Sequence, residues 1–168
     1  MLKLMYITNV PEIASIADRA GVDRIFIDLE RYGKEERQKN WNSVKSKHSI
    51  SDILKVKSAV RNAQIFVRTD PIFDGFSDEL EGVLACKPDV VMLPYFKTVR
   101  EVETFIKAVD GRATTSLLLE TREAAEQIDD IISVGGIDEI HIGLNDLSHS
   151  YGKKFLFEEL ADGTVDRL

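Results

Sequence analysis

The sequence has one cysteine, no long apolar run and no excess of positive charge, and each absence excludes a class of protein. Cys86 is the single cysteine among 168 residues, so no internal disulfide framework is expected. No segment approaches the roughly 20 consecutive apolar residues of a membrane-spanning helix. The chain carries 22 Lys and Arg against 29 Asp and Glu, a formal net charge of -7, which gives no basic surface for nucleic acid or an anionic membrane. We therefore expect small-molecule or protein partners.

Several familiar motifs are also missing. The sequence has no glycine-rich phosphate-binding loop, no CxxC pair and no Ser-His-Asp set. The apolar stretch near the N-terminus is too short for a secretory signal and lacks a small-residue cleavage site, so we expect a cytoplasmic protein. The composition, 43% hydrophobic and 30% charged, is typical of a globular chain. We expect residues 1–168 to form one domain.

Short apolar segments alternate with amphipathic segments along the whole chain. Strands are predicted where nearly every residue is apolar, and helices where apolar residues recur at helical spacing. The six predicted strands cover 2–8, 23–29, 63–69, 88–95, 113–120 and 138–146. The predicted helices cover 10–21, 49–61, 77–87, 98–111 and 121–136, and a last helix is predicted to begin near Phe155. Strands buried on both faces and separated by single helices pair in parallel, which predicts an α/β fold.

The segment 30–48 interrupts this alternation. It is polar and charged and has no clear period, which predicts a long loop with room for one helical turn. His48, at the end of this segment, is predicted to be solvated. Long loops of this kind are often functional.

Polar residues follow the ends of four predicted strands. The carboxyl ends of parallel strands meet on one side of the sheet, where α/β proteins bind their ligands. A carboxylate buried alone there would carry a large desolvation penalty, so it must meet a cation or a hydrogen-bond donor. Carboxylates together with an arginine suit a divalent metal and a bound anion. The strand-end residues are Asp28, Glu30, Arg68, Glu120, Asn145 and Asp146.

Each of the main candidates also has a structural interpretation. Glu120 could cap the following helix, because acidic residues near a helix N-terminus are stabilised by its dipole. Asp146 could cap a turn before Leu147. Arg68 could pair with Asp70 at the surface.

The same residues lie in segments that resemble the HpcH/HpaI aldolase and citrate lyase family of the phosphoenolpyruvate/pyruvate superfamily. The similar segments run in family order from Ala20 to Gly152, and "LLLET" and "GLNDLS" are the most specific of them. The others are "AGVDRIFIDLE", "VRTDP", "PDVVMLPYFKTVREVE" and the residues around "GIDEIHI". The resemblance implies a TIM-type (β/α)8 barrel that binds Mg2+ or Mn2+.

The resemblance also implies roles for individual residues. Glu120 and Asp146 match the metal carboxylates, and Arg68 matches the arginine that stabilises the enolate. Asp28 and Glu30 are expected to supply acid/base chemistry or to support the ligands. Leu144 and Asn145, beside Asp146, are expected to line the substrate site.

The implied reaction is that of a class II pyruvate aldolase. Such an enzyme is a metal-dependent carbon-carbon lyase that cleaves a 2-keto acid aldol to pyruvate and an aldehyde. Cleavage of a CoA thioester, as in citrate lyase or malyl-CoA lyase, remains an alternative. A further alternative is a non-catalytic barrel fragment with an assembly or ligand-binding role.

The sequence departs from the family at one site position. The aldolase branch has a histidine where this chain has Arg31, and an arginine does not readily take a proton. The citrate lyase branch resembles "DLED", which Glu30 matches and Arg31 does not. Arg31 and Lys97 could bind a second anionic group of the substrate or could be solvated charges.

The second departure is length. A closed barrel of this type needs about 250 residues and eight strands, whereas this chain carries six strand-helix units. We expect a truncated barrel, either a fragment of a longer protein or a short gene product. The open edges of the first and sixth strands favour a homo-oligomer that covers them.

Overall fold

The computed structural model describes residues 2–33 and 46–168, and residues 34–45 of the predicted long loop lie outside the described residues. Six strands form one parallel sheet in sequence order. The strands are β1 (Met5–Ile7), β2 (Arg24–Asp28), β3 (Gln64–Arg68), β4 (Val90–Leu93), β5 (Thr114–Leu119) and β6 (Glu139–Ile142). The predicted parallel α/β fold is therefore confirmed, with strands shorter than the apolar runs that indicated them.

Helices connect the strands, as the alternating pattern predicted. The described helices are α1 (Pro11–Arg19), α2 (Ile50–Ala59), α3 (Phe76–Ala85), α4 (Val99–Val109), α5 (Arg122–Ala125), α6 (Ile128–Ile132), α7 (Leu144–Ser150) and α8 (Glu158–Ala161), followed by a 3-10 turn at Val165–Arg167. Each helix that follows one of the first four strands is confirmed near its predicted bounds.

The prediction of one helix over 121–136 is wrong. The chain forms α5 and α6, separated by Gln127, whose backbone leaves the helical region with φ -116 and ψ 19. The Gln127 side chain donates to the carbonyl oxygens of Lys97 and Glu123 at 3.1 and 2.9 Å, which fixes the break against the loop after β4. The last helix begins at Glu158 rather than near Phe155, since the Phe155 N–H donates to the Glu158 side chain at 2.7 Å.

The sixth strand is also shorter than predicted. β6 ends at Ile142, and after Gly143 the chain turns into α7. The prediction that Asn145 and Asp146 end a strand is therefore wrong, since both lie in the first turn of α7. The alternation of apolar residues continues through Leu144, which the sequence alone does not distinguish from a longer strand.

The two faces of the sheet carry separate apolar cores. The convex face packs against the helices and holds the larger core, which includes Ile25, Ile65, Val91 and Leu117. The concave face holds a smaller apolar cluster of Phe26, Phe66, Val90 and Met92, with Leu118 packed against it. Polar side chains lie on both sides of this cluster, one group toward the amino ends of the strands and the other toward their carboxyl ends.

The sheet is curled into a half-barrel. Arg24 on β2 and Glu139 on β6 are separated by three intervening strands, yet the Arg24 Nη2 lies 2.5 Å from the Glu139 Oε1 across the concave face. β1 and β6 form the open edges, where Leu4 and Ile7 are each 52% exposed. Within the described part of the chain, no helix is long and apolar enough to cross a membrane.

Candidate active site

A buried arginine and two carboxylates lie together at the carboxyl ends of β2 and β3. Asp28 and Arg68 are the last residues of their strands and are paired in register. The Arg68 Nε and Nη2 donate to the two Asp28 carboxylate oxygens at 2.9 and 2.8 Å, and Nη2 lies 3.3 Å from the Glu30 carboxylate. The Asp28 and Glu30 side chains are only 3% and 2% exposed. Arg68 therefore pairs with these residues and not with Asp70.

The charge of Arg68 is held firmly. Burial alone would lower its pKa, but the hydrogen bonds to Asp28 and the charges of Glu30 and Glu120 outweigh burial and raise the pKa above its ordinary value. The guanidinium also lies over the Phe26 ring, 5.5 Å from the ring centroid. This arrangement fixes a permanent positive charge at the rim of the concave face.

Glu120 is buried directly after β5. Its Oε1 accepts the backbone N–H of Tyr95 at 3.0 Å, and Tyr95 adopts a left-handed backbone with φ 49 to present that donor. The cap of the following helix is Thr121, whose hydroxyl accepts the Ala124 N–H at 3.2 Å. The alternative that Glu120 serves as the helix cap is therefore wrong.

The pKa of Glu120 is raised to about 8. Burial is the largest cause, and the negative charges of Glu30 and Asp146 raise the pKa further. The positive charge of Arg68 and the Tyr95 N–H oppose this shift without cancelling it. Glu120 therefore lies close enough to both Glu30, after β2, and Asp146, in the first turn of α7, to be repelled by their charges.

Gly143 brings the start of α7 against Glu120. A Cβ at this position would lie 2.8 Å from the Glu120 Cβ and 2.9 Å from its Oε2, closer than side chains tolerate. Three residues later, Asp146 lies in the first turn of α7, half-buried like its neighbours Leu144 and Asn145. Glycine at position 143 therefore lets the chain that leads into α7 lie directly against the Glu120 side chain.

The rim offers hard oxygen donors of the kind that Mg2+ and Mn2+ prefer. Among residues 2–33 and 46–168, no three acidic, histidine or cysteine side chains are close enough together to hold a metal by themselves. Glu120 and Asp146 therefore fit a metal only as a pair, with the remaining positions filled by oxygen atoms of a ligand and water.

The two other predicted substrate-binding cations lie beside this cluster. The Arg31 guanidinium donates to the carbonyl oxygen of His48, and the Arg31 N–H donates to Asp70 at 2.5 Å. The Lys97 ammonium lies 3.1 Å from Glu123 and 5.4 Å from the centre of the Tyr95 ring. Arg31 thus forms hydrogen bonds with His48 and Asp70. Lys97 forms an exposed ion pair with Glu123, close to Tyr95, whose backbone N–H donates to Glu120.

His48 is a site residue that the sequence interpretation missed. It is 7% exposed, and its Nδ1 accepts the backbone N–H of Asp28 at 3.0 Å. The prediction that His48 is solvated is therefore wrong. No local pattern in the sequence marked this residue, because its role depends on β1 ending at Ile7 and leaving the Asp28 N–H to another acceptor.

Comparison with known proteins gives one family for the whole region. The sequence model of the HpcH/HpaI aldolase/citrate lyase family matches residues 3–159. No curated protein matches the chain. A HpcH/HpaI aldolase/citrate lyase family protein from Burkholderia cenocepacia J2315 has a similar structure, with a TM-score of 0.78 and 13% identity over 98% of this chain and 72% of that chain.

Two further solved structures are similar. A HpcH/HpaI aldolase from Desulfitobacterium hafniense DCB-2 has a TM-score of 0.74 and 16% identity over 98% of this chain and 71% of that one. A citrate lyase beta subunit from M. tuberculosis, complexed with oxaloacetate and magnesium, has a TM-score of 0.62 and 20% identity over 98% of this chain and 70% of that one. At these identities the likeness shows a shared fold.

Proposed function

Because this chain belongs to the HpcH/HpaI aldolase/citrate lyase family, we propose that it is a metal-dependent carbon-carbon lyase that cleaves a 2-keto acid aldol to pyruvate and an aldehyde. One observation carries this proposal. The buried Glu120 carboxylate lies against Gly143, at the start of the turn that leads to Asp146, and its pKa is raised by burial and by the neighbouring carboxylates of Glu30 and Asp146. Carboxylates arranged in this way are suited to sharing a cation.

Glu120 and Asp146 are the proposed ligands of Mg2+ or Mn2+. When bound, such an ion supplies Lewis-acid stabilisation of the negative charge that develops on the keto oxygen. The similar citrate lyase beta subunit, which is complexed with oxaloacetate and magnesium, supports a 2-keto acid and a divalent metal as the ligands here. Leu144 and Asn145, in the first turn of α7 beside Asp146, are proposed to line the substrate site.

Arg68 is proposed to stabilise the enolate that leaves during cleavage. Its Nε and Nη2 donate to Asp28, whereas Nη1 makes no hydrogen bond within the described part of the chain and can donate to a ligand. A cation fixed in a buried setting stabilises developing negative charge without having to reorganise. The Asp28 pair orients the guanidinium for this role.

Proton transfer is assigned to the carboxylates of β2. Arg31, at the position of the aldolase histidine, stays protonated and is not a base. Asp28 and Glu30 lie within hydrogen-bond or ion-pair distance of Arg68 and are therefore next to the proposed enolate position. Either carboxylate can accept a proton from the substrate hydroxyl and return it to the enolate carbon.

Cleavage of a CoA thioester is the second candidate. Its support is Glu30, which matches the acidic strand-two motif of the citrate lyase branch and is buried beside Arg68. The two reactions differ in whether the activated substrate is a free acid or a thioester. Parallel assays with a free 2-keto acid aldol and with malyl-CoA or citramalyl-CoA distinguish them.

Deuterium exchange at the methyl group of pyruvate tests the first candidate, because only the aldolase reaction passes through the enolate of pyruvate. We expect exchange that requires Mg2+ or Mn2+ and is lost in Glu120→Gln. Glu81→Gln is a matched control, because Glu81 is an exposed carboxylate paired with Arg112 on the helical side. The absence of metal-dependent exchange in folded wild-type protein would contradict the aldolase proposal, and failure of the thioester assays as well would favour the non-catalytic alternative.

We also propose that the protein is a homo-oligomer that covers the open edges of the half-barrel. The exposed apolar residues of β1 and β6, including Met5, Ile7 and Ile140, support this proposal. Sedimentation at micromolar concentration tests it, since a monomer would contradict it.

A further inference from the structure

His48 lies where the sheet leaves a backbone donor of β2 without a neighbouring strand. β1 ends at Ile7, whereas β2 continues to Asp28. The N–H groups of successive strand residues face opposite neighbours, and the Leu29 N–H donates to Arg68 on the β3 side at 2.9 Å. The Asp28 N–H therefore faces the β1 side, where the His48 Nδ1 accepts it at 3.0 Å. The imidazole supplies the acceptor that a longer β1 would provide.

This hydrogen bond defines what the imidazole can do. A neutral imidazole has one nitrogen that donates and one that accepts. Because Nδ1 of His48 accepts, the ring proton is on Nε2, and neither nitrogen is available as a general base. His48 therefore does not replace the aldolase histidine as a proton acceptor, and its effect must pass through Asp28.

The loop on either side holds the ring in place. The Arg31 guanidinium donates to the His48 carbonyl oxygen, and the Arg31 N–H donates to Asp70. On the other side, the N–H of Ser49 donates to the Asp52 carboxylate at 2.9 Å and fixes the start of α2. Arg31, which stands where the aldolases have a histidine, thus holds the backbone of His48 in place.

We propose that His48 is a positioning residue for the site, with Arg31 as its anchor. Both Asp28 carboxylate oxygens accept from Arg68, so a shift of the Asp28 backbone moves the guanidinium that faces the substrate. Misplacement of a reacting group by about 1 Å can cost two orders of magnitude in rate. The expected effect of His48 on the rate rests on the proposed function. The hydrogen bond between His48 and Asp28 can be tested whether or not the protein has that function.

Two substitutions of His48 distinguish loss of the hydrogen-bond acceptor from loss of the imidazole ring. His48→Leu keeps the volume and leaves the Asp28 N–H buried without an acceptor, and we expect kcat for pyruvate exchange to fall about tenfold or more. His48→Asn places an amide oxygen near the position of Nδ1, and we expect kcat within about threefold of wild type. Mg2+ affinity should change by less than about twofold in both variants, because His48 is not one of the proposed metal ligands.

Nuclear magnetic resonance of the wild-type protein tests the hydrogen bond directly. We expect the Nε2–H tautomer and a scalar coupling across the hydrogen bond between the Asp28 amide nitrogen and the His48 Nδ1. If wild type shows no exchange activity, the proposed function fails, while this coupling still decides the position of His48. A ring protonated on Nδ1 would overturn the proposal, as would a His48→Asn variant that is as slow as His48→Leu.

Discussion

The concave face has a polar cluster at each end of its strands, and each cluster contains an arginine and a glutamate. The charges are balanced in one cluster, whereas carboxylates are in excess in the other. At the amino ends of the strands, the Arg24 guanidinium donates to both Glu139 oxygens at 2.6 and 2.5 Å and to Gln64 at 3.0 Å. All the donor nitrogens of this arginine are used, and the charges match one to one. At the carboxyl ends, the one guanidinium of Arg68 interacts with three carboxylates, those of Asp28, Glu30 and Glu120.

The two glutamates show what this difference means. The hydrogen bond from Arg24 holds the pKa of Glu139 below its ordinary value, whereas burial and neighbouring carboxylates raise the pKa of Glu120 to about 8. A balanced pair stabilises the curl of the sheet. A buried group of carboxylates that repel one another instead carries a cost in stability, which a bound cation would relieve.

The largest effect is expected for Asp146→Asn. Loss of one charged oxygen from the proposed metal pair should lower Mg2+ affinity and the rate of pyruvate exchange by about 1000-fold. The unfolding midpoint in the absence of metal should stay the same or rise, because repulsion with Glu120 is relieved. Calorimetric titration and the exchange assay measure the two quantities. Activity retained at the wild-type level would remove Asp146 from the site.

The pH dependence of stability should show the repulsion at the rim. The unfolded chain loses the Glu120 proton near its ordinary pKa of 4.5, whereas the folded protein keeps it up to about pH 8. The folded state then binds more protons, so stability without metal should fall by about 5 kcal/mol as pH rises from below the lower value to above the higher one. Urea unfolding at several pH values measures this slope.

Glu120→Gln should remove most of that slope. A smaller fall in stability with rising pH should remain from Glu79, whose pKa is raised to about 7 by burial and by the charge of Asp70. Glu79→Gln is therefore the matched control. Saturating Mg2+ should also flatten the slope in wild type, and an unchanged slope in Glu120→Gln would contradict the assignment.

Removal of the ion pair between Arg24 and Glu139 should lower the stability of the fold and leave the catalytic activity largely unchanged. Glu139→Gln leaves the buried Arg24 charge without its partner and should lower the free energy of unfolding by about 2 kcal/mol, since Glu139 is 25% exposed. The double variant Arg24→Met with Glu139→Leu should recover much of this loss. Exchange activity per folded molecule should remain within about threefold of wild type; a 100-fold loss would show that the two ends are coupled.

Gly143→Ala should weaken the metal site without removing a ligand. The new Cβ would lie 2.8 Å from the Glu120 Cβ and force that side chain to shift. We expect about tenfold weaker Mg2+ binding and a loss of about 1 kcal/mol in stability. Gly152→Ala is the stability control, because it has a positive φ but nothing within 4 Å of the new Cβ. Equal metal affinity in both variants would contradict the close approach of Gly143 to Glu120.

The smallest effect is expected at the surface pair of Glu81 and Arg112. Both side chains are exposed, and solvent screens their attraction even though the atoms lie 2.6 Å apart. Glu81→Gln should leave the unfolding midpoint, the metal affinity and the exchange rate unchanged within error. A clear loss of activity would show that the rim is not the determinant of function.

Much of the fold could be read from the sequence because its strands are buried on both faces. Continuous apolar runs such as those around Val91 and Leu117 have few alternatives once helical segments separate them. Thr98 and Glu101 form a reciprocal cap at the start of α4, a local signal that needs no tertiary information. Parallel pairing then brought Asp28 and Arg68 to one rim.

The details of the rim could not be read in the same way. β6 ends at Ile142, and the next residue, Gly143, lies against Glu120, which follows a different strand. His48 is buried because β1 stops early beside Asp28, which no local pattern encodes. Interactions between residues far apart in sequence decide such positions.

Anomalous diffraction from crystals soaked in Mn2+ tests the central claim most directly. We predict one strong peak bound by carboxylate oxygens of both Glu120 and Asp146 at about 2.1 Å, on the side of the rim that faces Arg68. A Mn2+ peak elsewhere, or carboxylates that face apart with no peak between them, would contradict the metal site and the lyase function built on it.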